Sequence, residues 1–310
     1  MELRFTVVIP TYNREQLVVQ AVDSALAQTF GGGIEIVVCD DGSTDGTMKA
    51  LMEYGDKIKV VSTERAGPGG ARNAAIAVGR AEYLSFLDSD DLWHPRTLEL
   101  VNATIETSGA RIVFIAPVIF SDGSRYVWAD TDEGRGLDSV RIHVYKDLSC
   151  INDAIVPPQV EATCTVAALH RADFDRVGGF VAGQINAEDI DLFLKLLDVG
   201  PVAFIQIPCL LAYRGHGAQT NKLNAKNLQG CRLLLANRRS YPSGCGLRTR
   251  DEIVYARLWH ILRSCIRNEP FSVAPMLMLA RLSPRLAWHR FLSRVSRSNA
   301  NVNVTNVRLI

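Results

Sequence analysis

Phe5-Thr-Val-Val-Ile-Pro-Thr-Tyr-Asn-Arg14 decides how the chain is to be read, because a short run of β-branched and aromatic residues stops abruptly at a proline and a polar segment. A run of this kind is a strand buried on both faces, and such strands belong to mostly parallel sheets. Three further runs rich in Val, Ile or Phe, at 34–39, 58–62 and 83–87, end in the same way in turn-forming or polar residues. Between them, 15–28 sets Leu17, Val18, Ala21, Val22, Ala25 and Leu26 at helical spacing, and 44–54 and 71–78 are compatible with helix. Alternation of strand and helix in short units predicts an α/β fold with a Rossmann-like, mostly parallel central sheet flanked by helices. Ligands bind such sheets outside the carboxyl ends of the strands, so the residues just after each strand are where chemistry is expected.

Those residues are acidic. The second strand ends in Cys39-Asp-Asp-Gly-Ser43 and the fourth in Leu87-Asp-Ser-Asp-Asp91, so carboxylates recur at one edge of the sheet. Clustered acids repel one another unless they are solvated, or neutralised by a cation or by a donor such as Arg72. A hard metal held by one or two carboxylates together with diphosphate oxygens removes the repulsion. Asp and Ser after strands are also ordinary helix caps and turn formers, and for Ser43 and Asp45 that reading stands equally. Three acids at 88, 90 and 91 exceed what a cap requires.

Two competing motifs fail. Asp41-Gly-Ser-Thr-Asp-Gly46 begins like a calcium loop, but its twelfth position is Met52 where a bidentate Glu is required. Gly67-Pro-Gly-Gly-Ala-Arg72 lacks the GxGxxG spacing and does not follow the first strand, which excludes a dinucleotide fingerprint, and no GxxxxGK[ST] phosphate loop is present.

With 310 residues, 47% of them apolar and 22% charged, the chain has the composition of a globular protein. Its seven cysteines are scattered without CxxC or zinc-ligand spacing and read as reduced thiols of a cytoplasmic protein. No secretory signal and no apolar run of ~20 residues is expected to target or span a membrane. The net charge of +1 conceals a division: residues 222–310 carry sixteen Lys and Arg against three acids, and the remainder eighteen against thirty. A helix at 95–107, strands at 111–120, 160–170 and 202–207, a loop at 121–138 and a helix at 190–197 complete the body, and beyond 221 the pattern turns helical and basic. Within 281–297, Leu286, Trp288, Phe291, Leu292 and Val295 interleave with arginines at the spacing of an amphipathic helix. Such a helix either lies on an anionic membrane surface or packs on the body of the protein.

Val7-Val-Ile-Pro-Thr-Tyr-Asn-Arg14, Asp40-Asp-Gly-Ser-Thr-Asp-Gly-Thr47, Ala71-Arg-Asn73 and Phe86-Leu-Asp-Ser-Asp-Asp91, in this order, resemble the nucleotide-binding half of family 2 glycosyltransferases with the GT-A fold. The resemblance continues through Val177-Gly-Gly-Phe180, Ala187-Glu-Asp-Ile-Asp-Leu192 and Tyr213-Arg-Gly-His216, and stops before the basic tail. It implies a GT-A catalytic domain over 1–220, with a nucleotide-binding half at 1–110 and an acceptor-binding half at 111–220, followed by a helical basic region at 221–310. It implies an inverting enzyme of the bacterial polysaccharide type. Such an enzyme moves a sugar from a nucleotide-diphosphate donor, expected to be a UDP-sugar, to a hydroxyl of a saccharide or lipid-linked saccharide.

By the same resemblance, Pro10, Tyr12, Arg14, Asp41, Arg72, Asp88 and Ser89 contact the nucleotide, and Asp90 with His216 holds Mg²⁺ or Mn²⁺. Asp189 is the general base with Glu188 beside it, and Trp93, Gly179 and Phe180 border the acceptor. Glu188 and Asp189 can equally cap a helix, and aromatics such as Trp93 and Phe180 are as often core. The expected setting is the cytoplasm, peripherally at the inner face of the cytoplasmic membrane through 281–297, with no nucleic-acid partner. Two other classes share some of these features. A nucleotidyltransferase making sugar nucleotides should carry a glycine- and basic-rich loop after the first strand, where this chain has Pro-Thr-Tyr-Asn-Arg. A non-catalytic sugar-nucleotide-binding module would not need Asp189.

Overall fold

Val7, Val8 and Ile9 are fully buried in β1 (Leu3–Thr11), a central strand of the main sheet. The computed structural model describes residues 2–115, 117–121, 139–148, 167–184, 187–205, 211–215 and 303–308, together with 230, 233–234, 236–237 and 239–242. After β1 come α1 (Glu15–Leu26), β2 (Gly33–Asp40), α2 (Thr47–Met52), β3 (Lys59–Ser62), α3 (Gly67–Val78) and β4 (Tyr83–Phe86). The chain continues through β5 (Leu92–Trp93), α4 (Thr97–Ser108), β6 (Ile112–Ile115), β7 (Pro117–Ser121), β8 (Ser139–Tyr145), β9 (Ala167–His170) and α5 (Arg171–Arg176). The last described elements are α6 (Glu188–Lys195), β10 (Val202–Ile205), β11 (Leu211–Gly215) and β12 (Asn303–Arg308).

Among the described residues, nine strands form the main sheet in the order β12-β8-β10-β6-β9-β4-β1-β2-β3, and β5-β11-β7 form a second, smaller one. The block β4-β1-β2-β3 is parallel throughout, with Thr11 opposite Asp40 and Val8 opposite Phe86, so the carboxyl ends of its strands share one edge. Beyond β4 the sheet is mixed: β9 runs antiparallel to both neighbours, as do β8 against β10 and β12 against β8. A strand buried on both faces has the same apolar composition in either direction, so the reversal leaves no mark on the sequence.

Several boundaries differ from the sequence expectation. The 111–120 run is two strands, β6 in the main sheet and β7 in the small one, with Pro117 opening the second. Helix α3 starts at Gly67 rather than 71, because Asp41 accepts the N–H groups of Ala66 at 2.6 Å and Gly67 at 2.9 Å and Pro68 has no N–H to satisfy. The tail, expected to be helical, contains a strand at Asn303–Arg308, where Val304, Thr305 and Val307 favour extended backbone. The loop at 121–138 (after Ser121), the start of the 160–170 strand, the 281–297 helix and His216 lie outside the described residues. Among the described residues no helix is long and apolar enough to cross a membrane.

At the edge opposite the acids, Glu35 is buried and accepts hydrogen bonds from Thr6 Oγ1 at 2.7 Å, Lys59 Nζ at 2.7 Å, Ala81 N at 3.1 Å and Arg80 N. Burial alone would raise its pKa, yet these donors together hold the carboxyl below its ordinary value. A depressed carboxylate stabilises the fold above the unfolded-state pKa, and that contribution is lost as pH falls through the folded one. Replacing Glu35 with Ala removes the acceptor of Lys59 Nζ and of the Arg80 N–H, leaves the buried Ala81 N–H only its 3.2 Å bond to Thr6 Oγ1, and is expected to cost about 1–3 kcal/mol at neutral pH. Urea titrations at pH 7 and pH 4 check it: wild type should lose stability on acidification and the variant should lose less.

Candidate active site

The polar ends of β1 and β2 are tied to each other. Asn13, held at a φ of +49°, accepts from Thr44 N at 2.8 Å, while its own N–H donates to Ser43 Oγ at 2.8 Å. Arg14 N donates to Thr47 Oγ1 at 2.9 Å, and Asp45 accepts from Thr47 N at 3.0 Å. Ser43 and Asp45 are thus turn and cap residues. Asp41 accepts additionally from Thr63 Oγ1 at 2.7 Å, so its carboxylate anchors the amino end of α3. The hydroxyl of Thr11, buried at the carboxyl end of β1, has no hydrogen-bond partner among the described residues. Tyr12 carries the Arg65 guanidinium over its ring at 4.0 Å.

Carboxylate oxygens of Asp88, Asp90 and Asp91, all in the loop after β4, lie within 4.8 Å of one another. Asp91 is buried and Asp88 and Asp90 are partly exposed. Arg14 lies 3.5 Å from Asp90, which brings the end of β1 onto this cluster. Hard oxygen donors grouped in this way suit a divalent cation, with Asp90 and Asp88 accessible enough to coordinate it.

Arg72 joins this cluster to the opposite wall. Nearly buried in α3, it places one terminal nitrogen 2.7 Å from Asp88 and the other 3.0 Å from Glu188, with its guanidinium 5.7 Å from the Phe180 ring. Glu188 and Asp189 occupy the first turn of α6, which begins two residues before the expected start, after Ala187 at a φ of +59°. The positive end of the α6 dipole favours both carboxylates, and Ile190 N donates to Asp189 at 2.7 Å. Burial nevertheless pushes the Asp189 pKa up to about 7, with Glu188 and Asp88 acting in the same direction and Arg72 opposing.

These features bring a cation-sized acidic cluster, a bridging guanidinium and a carboxyl with a pKa near neutrality to the carboxyl edge of one sheet. The Glycosyl transferase family 2 model matches residues 6–171, more than half of the chain. The chain belongs to glycosyl transferase family 2. It is 29% identical over 233 residues to a glycosyltransferase of Rickettsia felis, an alignment covering 74% of this chain and 37% of that one. The chain therefore spans little more than a third of that relative's length. The UDP-Glc:alpha-D-GlcNAc-diphosphoundecaprenol beta-1,3-glucosyltransferase WfgD of Escherichia coli is 38% identical over 97 residues, 31% of this chain and 38% of WfgD. Staphylococcus aureus TarS in complex with UDP-GlcNAc superposes with a TM-score of 0.68 at 19% identity, over 92% of this chain and 80% of that one. The fold is that of the GT-A glycosyltransferases.

Of the residues assigned from the glycosyltransferase resemblance, Arg14, Arg72, Asp88, Asp90 and Glu188 are joined by the ion pairs above, and Asp189 adjoins them on α6. Pro10 and Ser89 are buried, and Asp41 caps α3 at the same sheet edge. Trp93 and Phe180 are each 3% exposed and pack in the core, Phe180 edge-on to Phe86 with centroids 6.0 Å apart. Gly179, at a φ of +66°, has no room for a side chain, since a Cβ would approach Phe174 Cζ to 2.7 Å. Asp91 was not singled out as a ligand by the resemblance, although its place in a run of acids marks it.

Proposed function

We propose that the chain is an inverting glycosyltransferase that moves a sugar from a UDP-sugar to a hydroxyl of a saccharide or lipid-linked saccharide. The observation that carries this is the Arg72 fork, which links the Asp88 side of the acidic cluster to Glu188 beside Asp189. A donor diphosphate bound at the cluster then has its anomeric carbon toward α6. Asp90 and Asp88, with Asp91 behind them, would hold Mg²⁺ or Mn²⁺, whose charge offsets that developing on the leaving nucleoside diphosphate. Arg14 and Arg72 add fixed positive charge on the same side. Asp189, with a pKa near the working pH, takes the proton from the acceptor hydroxyl as its oxygen attacks opposite the leaving group. Tyr12 and Asp41 offer the base a stacking face and a polar contact.

The donor nucleotide is drawn from the UDP-GlcNAc held by TarS, and the lipid-linked acceptor from the acceptor that WfgD is named for. The basic segment 281–297 suits enzyme action beside an anionic membrane carrying such an acceptor. A thermal-shift comparison of UDP, GDP and dTDP with and without Mn²⁺ tests donor binding. At about 100-fold above Kd, UDP with Mn²⁺ should raise the melting temperature by about 5 °C. GDP and dTDP should do less, and Asp90→Ala should abolish the metal-dependent part. Release of UDP from UDP-glucose or UDP-GlcNAc, stimulated by GlcNAc-diphosphoundecaprenol, tests transfer. Binding without release across a panel of acceptors would favour a non-catalytic module instead.

A further inference from the structure

Asp191 lies two residues after Asp189 on α6 and is 1% exposed. Its carboxylate accepts a 2.6 Å hydrogen bond from the Tyr241 hydroxyl and lies 2.7 Å from Lys195 Nζ. Lys195 also donates to Gly179 O at 3.2 Å, and Asn73 of α3 clasps the next residue, accepting from Phe180 N at 3.1 Å and donating to Phe180 O at 2.9 Å. Tyr241 is itself buried, and it comes from a part of the chain beyond the residues the family model matches.

Residues two apart on a helix project about 200° from each other. With Asp191 fixed inward, α6 has one rotational setting, in which Glu188 reaches Arg72 and Asp189 lies on the face away from Asp191. A buried carboxylate cannot leave its donors without a large desolvation cost, so the tie resists rotation of the helix. We propose that Tyr241 is a positioning residue for the general base: through Asp191 it locks the rotation of α6 and keeps the Asp189 carboxylate in place beside Glu188. This rests on the reading of Asp189 as the base. The charged and titratable groups around this part of α6 include Arg72, Asp88, Glu188, Asp191, Lys195 and Tyr241.

The test uses the full chain with Tyr241→Phe, which keeps the ring and removes the hydroxyl. Carboxyl NMR titration of Asp189 should show its pKa fall toward the ordinary carboxylate range as the loosened helix admits water. The acid limb of kcat for UDP release from UDP-glucose or UDP-GlcNAc should move down with it. The kcat itself should drop about tenfold or more, because small misplacements of a reacting group are costly, while KM for the donor stays unchanged. Should Tyr241→Phe fail to fold, Lys195→Gln, which cuts the other tie to Asp191, is expected to give the same shift. A lower melting temperature with an unmoved Asp189 titration would overturn the proposal and leave Tyr241 a packing residue. Unchanged kcat in Tyr241→Phe alongside an inactive Asp189→Asn would overturn it while sparing the base assignment. Full activity in Asp189→Asn would remove the base assignment and the positioning role together.

Discussion

Replacing Asp189 with Asn is expected to lower kcat for sugar transfer by about 10²–10⁴-fold, the range a general base contributes, while UDP affinity stays at the wild-type level. Asn keeps the shape of the side chain and can still accept the Ile190 N–H bond, so the loss reports the missing proton acceptor and not a collapsed helix end. The pH dependence gives a second signature. Burial, with Glu188 and Asp88 adding, places the wild-type Asp189 pKa at about 7. The reactive form is the carboxylate, so kcat should climb as pH rises through that value and level off above it. In Asp189→Asn the residual rate should lack this limb. Steady-state kinetics from pH 5.5 to 9 check both points. A wild-type profile that is flat across this range would transfer the role of base to another group.

The legible part of this protein follows from what a single strand or helix can reveal. Val7, Val8 and Ile9 announce a strand buried on both faces, and Asp41, Asp88, Asp90 and Asp91 stand out because apolar strands deliver them to one sheet edge. Sequence alone does not pair Arg72 with Glu188, 116 residues away, since long-range ion pairs leave no local pattern. The family resemblance put both at the site, and the geometry shows that one guanidinium serves two carboxylates. Trp93 and Phe180 show the reverse limit: an aromatic beside a motif reads alike as pocket wall or core, and only the packing around it decides. The same holds for Tyr241. Asp191 and Lys195 at i, i+4 hint at a helix pair, but nothing in the sequence around Tyr241 points back to α6.

Arg72→Met is expected to be the most damaging change outside the base, because it leaves Asp88, Glu188 and Asp189 facing one another without their shared cation. Arg72 is 5% exposed and Met is close to its volume, so the loss is electrostatic and not a cavity. Removing one partner of a buried pair costs about 3–5 kcal/mol, here moderated on the Asp88 side by solvent. The sign with pH is opposite to that of Glu35. Without Arg72 the Asp189 carboxyl, already raised above its unfolded value, is raised further, so the variant's stability is greatest at low pH and falls as pH rises through that folded value. Urea unfolding should therefore show the gap between variant and wild type widening from pH 5 to pH 8. Arg72 also opposes the elevation of the Asp189 pKa, so any residual activity in the variant should need a more alkaline pH than wild type. Arg72→Lys should restore part of the stability, since one ammonium replaces the charge, but not the full rate, since it cannot fork between Asp88 and Glu188. If stability and the acid limb are both unchanged in Arg72→Met, the acidic cluster and the base are electrostatically independent, and the two halves of the site do not act as one.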